Sequence, residues 1–267
     1  CKLVADEIAA DMLEFDTCLP VIVSLRNPGL RDRHWAEMSE ILGFRLCPSE
    51  DETFTIRKAI EEYKLGEQAV IDKLKKVTDK ATKEYSLERS MVKMKAAWEN
   101  VEFEVFPYKD TGSYVLKGSE DILTVLDDHI VLTQGMSFSP YKGPFEKEID
   151  DWEVTLRLVQ NTIMEWLAVQ KQWMYLQPIF LSDDINAQLP AEGKKFGQVD
   201  KNWRRNLQKC YDKPHALTFA NDQRLYEFFK EGNASLDRVA KNLADYLETK
   251  RAGFARFYFL SNDELIQ

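Results

Sequence analysis

Phe145, Ile149, Trp152, Leu156, Val159, Ile163, Trp166 and Trp173 recur at steps of four and three residues, with polar Gln170 breaking the stripe where Val169 stands beside it. Only a helix keeps such a series on one face, so this part of the chain must form one long amphipathic rod. Pro144 presets φ for a first helical position and Pro178 marks a stop, which predicts a helix from Phe145 to Leu176. At 1.5 Å per residue that is ~50 Å of rod. Aromatic residues at helical spacing are more often core than binding surface, and Trp152, Trp166 and Trp173 are read as core. A helix this long suits a part that transmits geometry better than one that encloses a small substrate.

The remaining pattern is also mostly helical. Leu3, Ile8, Met12 and Phe15 open an amphipathic helix, followed by the short β-branched run Pro20 to Leu25 and the turn Asn27-Pro28-Gly29. A helix is predicted over Asp32 to Leu42, a loop over Cys47 to Glu52, and a short helix around Ile56, Ile60 and Tyr63. Val70 to Trp98 reads as a second rod with a break near Gly66. Phe103, Val105 and Tyr114-Val115-Leu116 flank the turn Lys109-Asp110-Thr111-Gly112, predicting a β-hairpin over Glu102 to Lys117. Gly118-Ser119, with Glu120 and Asp121, starts another helix. A loop from Gly135 to Pro144 precedes the tryptophan helix. Ser182-Asp183-Asp184 caps a short helix, Phe196 to Cys210 marks another, and Leu236 to Tyr246 a last one. The fold class is mainly α with one inserted hairpin. Because the chain begins inside an amphipathic pattern without an initiator, and because the capping box Ser261/Glu264 starts a helix near its end, it reads as a piece of something longer.

Chemistry is harder to find. With 44% hydrophobic residues the 267-residue chain can bury a substantial core, and its net charge of −9 opposes contact with phosphate backbones, which excludes nucleic acid as a partner. It lacks any apolar run of membrane-spanning length, and acidic residues interrupt the first fifteen positions where a secretory signal would be apolar. Cys1, Cys18, Cys47 and Cys210 form no CxxC pair, which points to a reducing compartment. Gly193-Lys194-Lys195 lacks the leading glycine and the hydroxyl of a phosphate-binding loop, and His34, His129 and His215 share no metal-ligand spacing. Asp127-Asp128-His129 cannot converge on one atom from successive helical positions, so it reads as a solvated face. Lys73, Lys75, Lys76, Lys80 and Lys83 alternate with Asp72, Asp79 and Glu84, which reads as a salt-bridged face. No catalytic residue, metal or cofactor is assigned.

Leu25-Arg26-Asn27-Pro28-Gly29-Leu30-Arg31-Asp32-Arg33-His34-Trp35 resembles the linker region of dynein heavy chains. Five further segments agree in order: Trp98 to Phe103; Tyr108 to Gly112 with Leu116 to Gly118; Leu126 to Ile130; Trp173 to Phe180; and Phe257 to Leu265. The axonemal branch is the closer match. The resemblance implies an elongated stack of long helices and bundles, with a first linker subdomain over 1–100, the hairpin insert over 101–118 and a truncated second subdomain over 119–267. It implies a non-catalytic lever, without cofactor, that bends and straightens with nucleotide state. Its partners would be the AAA+ ring of the same heavy chain and the rest of the tail and linker. Microtubules would be reached only through parts outside this segment, and no membrane is implied. The location would be cytoplasmic and cytoskeletal, in a ciliary or flagellar axoneme.

On that reading the candidate ring contacts are Asp110, Thr111 and Tyr114 on the hairpin and Gln188, Leu189, Glu192, Lys194 and Phe196 in a connecting segment. Candidate joints are Gly135, Pro178, Gly193 and Gly253. The sequence departs from the family in lacking a basic residue before Ser139-Pro140 and in having Ala255 where proline is common, which implies a looser joint near Gly253. A competing reading is a helical scaffold or adaptor that binds a protein partner through an exposed apolar face.

Overall fold

The computed structural model describes residues 2–46, 54–61, 65, 67–260 and 264. The loop expected at Cys47 to Glu52, the helix break expected near Gly66, Tyr63, and Ser261 of the terminal capping box lie outside those residues. The described residues form helices α1 (Lys2–Leu25), α2 (Asp32–Leu42), α3 (Ile56–Glu61) and α4 (Gln68–Ala97), then the hairpin β1 (Glu104–Pro107) and β2 (Tyr114–Lys117). There follow α5 (Ser119–Ser137), α6 (Glu146–Ile179), α7 (Asp183–Gln188), α8 (Pro190–Asp212), α9 (Ala216–Ala220) and α10 (Gln223–Gly253). The chain divides into two compact units, Cys1–Lys93 with Met136–Glu146, and Met94–Gly135 with Lys147–Gln267.

The first unit is built around the turn between α1 and α2. Its apolar centre joins Val21, Met38, Leu46, Ala59, Leu65, Leu74 and Val77. The turn is then tied to α4 by polar groups. Asn27 donates from Nδ2 to the Thr78 carbonyl (3.1 Å) and to Thr82 Oγ1 (2.6 Å), while its Oδ1 accepts from the Gly29 amide (2.8 Å). Arg31 pairs with Glu88 at 2.7 Å and lies over the Tyr85 ring. Asp32 sits favourably in the first turn of α2, and Gly43, with φ of +76°, ends it in the left-handed conformation that glycine adopts without strain.

Glu84 is the buried end of this clamp. Arg33 reaches its Oε2 with Nε at 2.8 Å and Nη2 at 2.5 Å, and His34 Nε2 lies 3.1 Å from the same oxygen. A buried carboxylate is tolerated only when it is paired and hydrogen-bonded, which the two guanidinium nitrogens of Arg33 provide here. This corrects the expectation that Glu84 belongs to a solvent-facing run with the lysines; the carboxylate turns inward because α2 delivers Arg33 and His34 to it.

Three other boundaries differ from expectation. Pro20 to Leu25 is helical, because Val21 and Ser24 are drawn into the core while exposed Pro20 forfeits a single bond to a carbonyl. The tryptophan helix runs past Pro178 to Ile179, and Phe180 N–H still reaches the Leu176 carbonyl at 3.0 Å, so the proline costs one rung without ending the ladder. Helix α5 likewise continues through Gly135 to Ser137, shortening the loop expected there.

The second unit is organised by α6. Trp166 and Trp173 are fully buried; Trp166 stacks on Phe229 of α10 (5.7 Å, 6°), and Trp173 stacks on Trp203 of α8 (5.4 Å, 23°). Phe103 and Phe219 close the other sides of Trp166. Each such pair contributes about 0.5–1.5 kcal/mol beyond its buried area. The segment before the hairpin is fixed by Phe103 N–H donating to the Pro214 carbonyl (2.7 Å) and Ala216 N–H to the Val101 carbonyl (2.8 Å), which also fixes α9.

Gly29 offers a direct test of the clamp in the first unit. A Cβ there would lie 2.6 Å from the Ala81 carbonyl oxygen and 2.7 Å from Tyr85 Cβ, so turn and helix would have to separate. Gly29→Ala is expected to destabilise the first unit by about 2 kcal/mol, seen as a lowered denaturant midpoint; an unchanged midpoint would refute the close approach.

Candidate functional site

The residues singled out from sequence fall on both sides of α8 and its neighbours. The hairpin is the first group. Its turn needs left-handed backbone at Lys109 (φ +47°) and Gly112 (φ +67°), and it closes through Tyr108 N–H donating to the Ser113 carbonyl at 2.8 Å. Asp110 is exposed at the tip, and Thr111 is half-buried with its hydroxyl donating to the Tyr108 carbonyl (2.5 Å). Tyr114 stacks on Tyr211 of α8 at 4.4 Å and 19°.

Two residues not singled out from the sequence, Asp200 and Arg204, hold this tip in place together with Trp173. Trp173 Nε1–H donates to Asp200 Oδ1 (2.8 Å), Asp200 Oδ2 accepts from Arg204 Nε (2.8 Å), and Arg204 Nη1 donates to the Thr111 carbonyl. A relay thus runs from the core of α6 through α8 to the hairpin. Gln170, the polar interruption in the tryptophan stripe, provides a second tether. Its Oε1 accepts from Leu116 N–H (2.8 Å) and its Nε2 donates to the Leu116 carbonyl (2.9 Å). The i,i+4 spacing of Asp200 and Arg204 and the lone polar residue in an apolar stripe are the signals that could have found them.

The second group lies near the start of α8. Ten residues separate Lys194 from Arg204, about 15 Å along the helix, so the two groups form separate patches. Gln188 and Lys194 are exposed, and Leu189 is half-buried between α7 and α8. Glu192 accepts from Asn242 Nδ2 of α10 (2.8 Å). Phe196 is buried and stacks on Phe180 (5.3 Å), so its ring belongs to the core of the unit. The whole segment, expected as a connector, is the end of α7 and the first turns of α8.

Among the candidate joints, Gly135 lies within α5, Pro178 in the last turn of α6 and Gly193 in α8. A Cβ on Gly193 would collide with Asn186 Oδ1, and Asn186 in turn donates to the carbonyls of Phe180 (2.7 Å) and Ser182 (3.0 Å). Gly253 is the last residue of α10, after which Phe254 is extended (φ −150°).

Asp127, Asp128 and His129 do not assemble a reactive centre. Asp127 accepts from Gln160 Nε2, Asp128 is exposed, and His129 Nδ1 accepts from Trp98 Nε1–H at 2.9 Å. His34 Nδ1 likewise accepts, from the Arg31 amide at 3.1 Å. Burial holds both imidazoles below their ordinary value of 6.5, outweighing Glu84 beside His34 and Asp128 beside His129. Burial also pushes the Cys210 thiol up to about 12, so this cysteine is not a thiolate at neutral pH.

A family model described as "Dynein heavy chain, N-terminal region 2" matches residues 2–267. The chain belongs to the dynein heavy-chain family. It is 43% identical to dynein axonemal heavy chain 1 of Rattus norvegicus over 267 residues, covering all of this chain and 6% of that relative. Identity to dynein axonemal heavy chain 3 of Homo sapiens is 39% over 266 residues, again all of this chain and 6% of the relative. Dynein axonemal heavy chain 12 of Rattus norvegicus is 43% identical over 238 residues, 89% of this chain and 8% of the relative. This dynein segment therefore spans less than a tenth of the length of these relatives. Among its described residues, no helix is long and apolar enough to cross a membrane.

Two outcomes follow for the dynein segment. Gln170→Ala leaves both backbone groups of Leu116 without their side-chain partner and is expected to cost about 2 kcal/mol, with faster amide exchange at Leu116. Because the imidazoles of His34 and His129 bind protons less readily folded than unfolded, stability should be complete above pH 6.5 and decline as pH falls below it. Denaturant midpoints from pH 8 to pH 5 measure this, and His129→Gln, which can still accept from Trp98, should reduce the slope.

Proposed function

We propose that this segment is the linker of a dynein motor: a non-catalytic lever that joins the tail to the AAA+ ring and changes its contact with the ring as nucleotide turns over. The observation that carries the reading is the relay Trp173–Asp200–Arg204–Thr111, which couples the hairpin tip to the aromatic core of its unit. A tip held that way moves with the body that bears it. Family membership and the similarity to axonemal heavy chains support the same reading and an axonemal, cytoskeletal location.

A lever needs stiff bodies and a few pivots. The stacked tryptophans of α6 and α8 supply stiffness within the second unit, since close-packed aromatic seams transmit strain instead of absorbing it. We assign the pivot first to Gly253, where continuous helix gives way to an extended residue, with Gly135, Pro178 and Gly193 as secondary positions inside helices. The ring-facing side chains would be the accessible members of the two patches, Asp110 with Thr111 and Tyr114 on the hairpin, and Gln188, Leu189 and Lys194 near the start of α8; Glu192, tied to Asn242, and Phe196 support the latter from within.

A lever that responds to nucleotide must bind the ring differently in its two states, because equal affinity for both shifts nothing. Binding of this segment to the purified AAA+ ring is expected to differ at least about tenfold between nucleotide-free ring and ring held with an ATP analogue. Substituting Asp110→Lys together with Lys194→Glu should shrink that difference. Equal affinity in both states would overturn the lever and favour a passive scaffold.

A further inference from the structure

Ile8, Met12, Phe15, Leu19 and Val23 lie along one side of α1 at steps of four, three, four and four residues, and they are 54, 68, 55, 40 and 70% exposed. At about 100° per residue they cluster in one stripe about 22 Å long, while Val21 and Ser24 turn the other way into the core of the first unit. Among the described residues, α1 is therefore apolar on two sides, one drawn into the core of the first unit and the other exposed. A row of large side chains at that spacing matches the seam of a second helix, whose own residues would fill the gaps between them.

Charge narrows the occupant. Asp11 and Asp16 stand at register positions on either side of the stripe, and α1 carries Asp6, Glu7, Asp11, Glu14 and Asp16 against Lys2 alone. An acid-flanked apolar stripe disfavours an anionic lipid surface, which calls for Lys and Arg. It favours a helix whose apolar face is bordered by Lys or Arg.

We infer that this face of α1 docks a basic amphipathic helix from another part of the same heavy chain. The proposal rests on the heavy-chain reading given above. The relatives are more than ten times longer than this segment, so a helix supplied in cis acts at high effective concentration and needs only a modest interface.

The test uses a full heavy chain carrying a photoreactive phenylalanine analogue at Phe15, irradiated without nucleotide and mapped by mass spectrometry. The expected product joins position 15 to an amphipathic segment of the same polypeptide bordered by Lys or Arg. Asp16→Lys should lower its yield at least threefold at low salt, and the same probe at Phe138 should not give it. A product with an acid-bordered segment, with a different polypeptide or with a second copy of the chain would overturn the inference, as would no product at all. Since no nucleotide is present, failure of the lever reading in the ring-binding assay leaves this result unaffected.

Discussion

The arrangement of the second unit depends on two stacked contacts made by one helix: Trp166 against Phe229 and Trp173 against Trp203. They fix α6 to α10 and to α8 at points seven residues apart, two turns along the same stripe. Rotation of α6 about its axis would break both at once. Trp173 has a second duty, since its indole N–H is the first donor in the chain of bonds that ends on the hairpin turn. Removing apolar contact at this position would therefore also release a polar tether.

Throughout both units, side chains act as partners for backbone groups outside the regular ladders. Asn27 reads the carbonyl of Thr78, Gln170 takes both groups of Leu116, Asn186 takes the carbonyls that follow α6, and His215 accepts from Thr218 at the start of α9. Backbone groups outside regular ladders must find partners when water is excluded. Here they find amides and imidazoles. Asn27 and Gln170 link segments far apart in the chain as well as satisfying them, so they help hold the helices in place.

Much of this was legible from the residues. The period of α6 was visible because its stripe is wide and apolar, and the hairpin because Asp110 to Gly112 must turn. The errors share a cause: tertiary packing overrode a local signal. Pro178 read as a stop and Pro20 to Leu25 as a β-branched run after the helix, yet each proline removes one bond from a helix whose neighbours are anchored in a core. Gly135 read as loop, yet glycine inside α5 adopts ordinary helical backbone. Glu84 read as solvent-facing because its lysine neighbours are, and only the fold brings Arg33 and His34 to it. Helix α9 was missed because its few residues are held by pairing with Val101, far away in sequence. Of the candidate site, the residue types at the hairpin turn were readable, whereas the Arg204 and Gln170 tethers were not, since each joins positions more than fifty residues apart.

The hairpin's flanks have a consequence for how anything could meet it. On one side Gln170 occupies the outward groups of Leu116. On the other, Phe103 N–H is already committed to Pro214, and Pro107 has no amide hydrogen to offer. An incoming extended peptide would find little free ladder on either rim. With those groups taken, the strand edges are poor templates for β-augmentation, and the side chains at the turn are the features left for a partner to grip, as a knuckle is gripped.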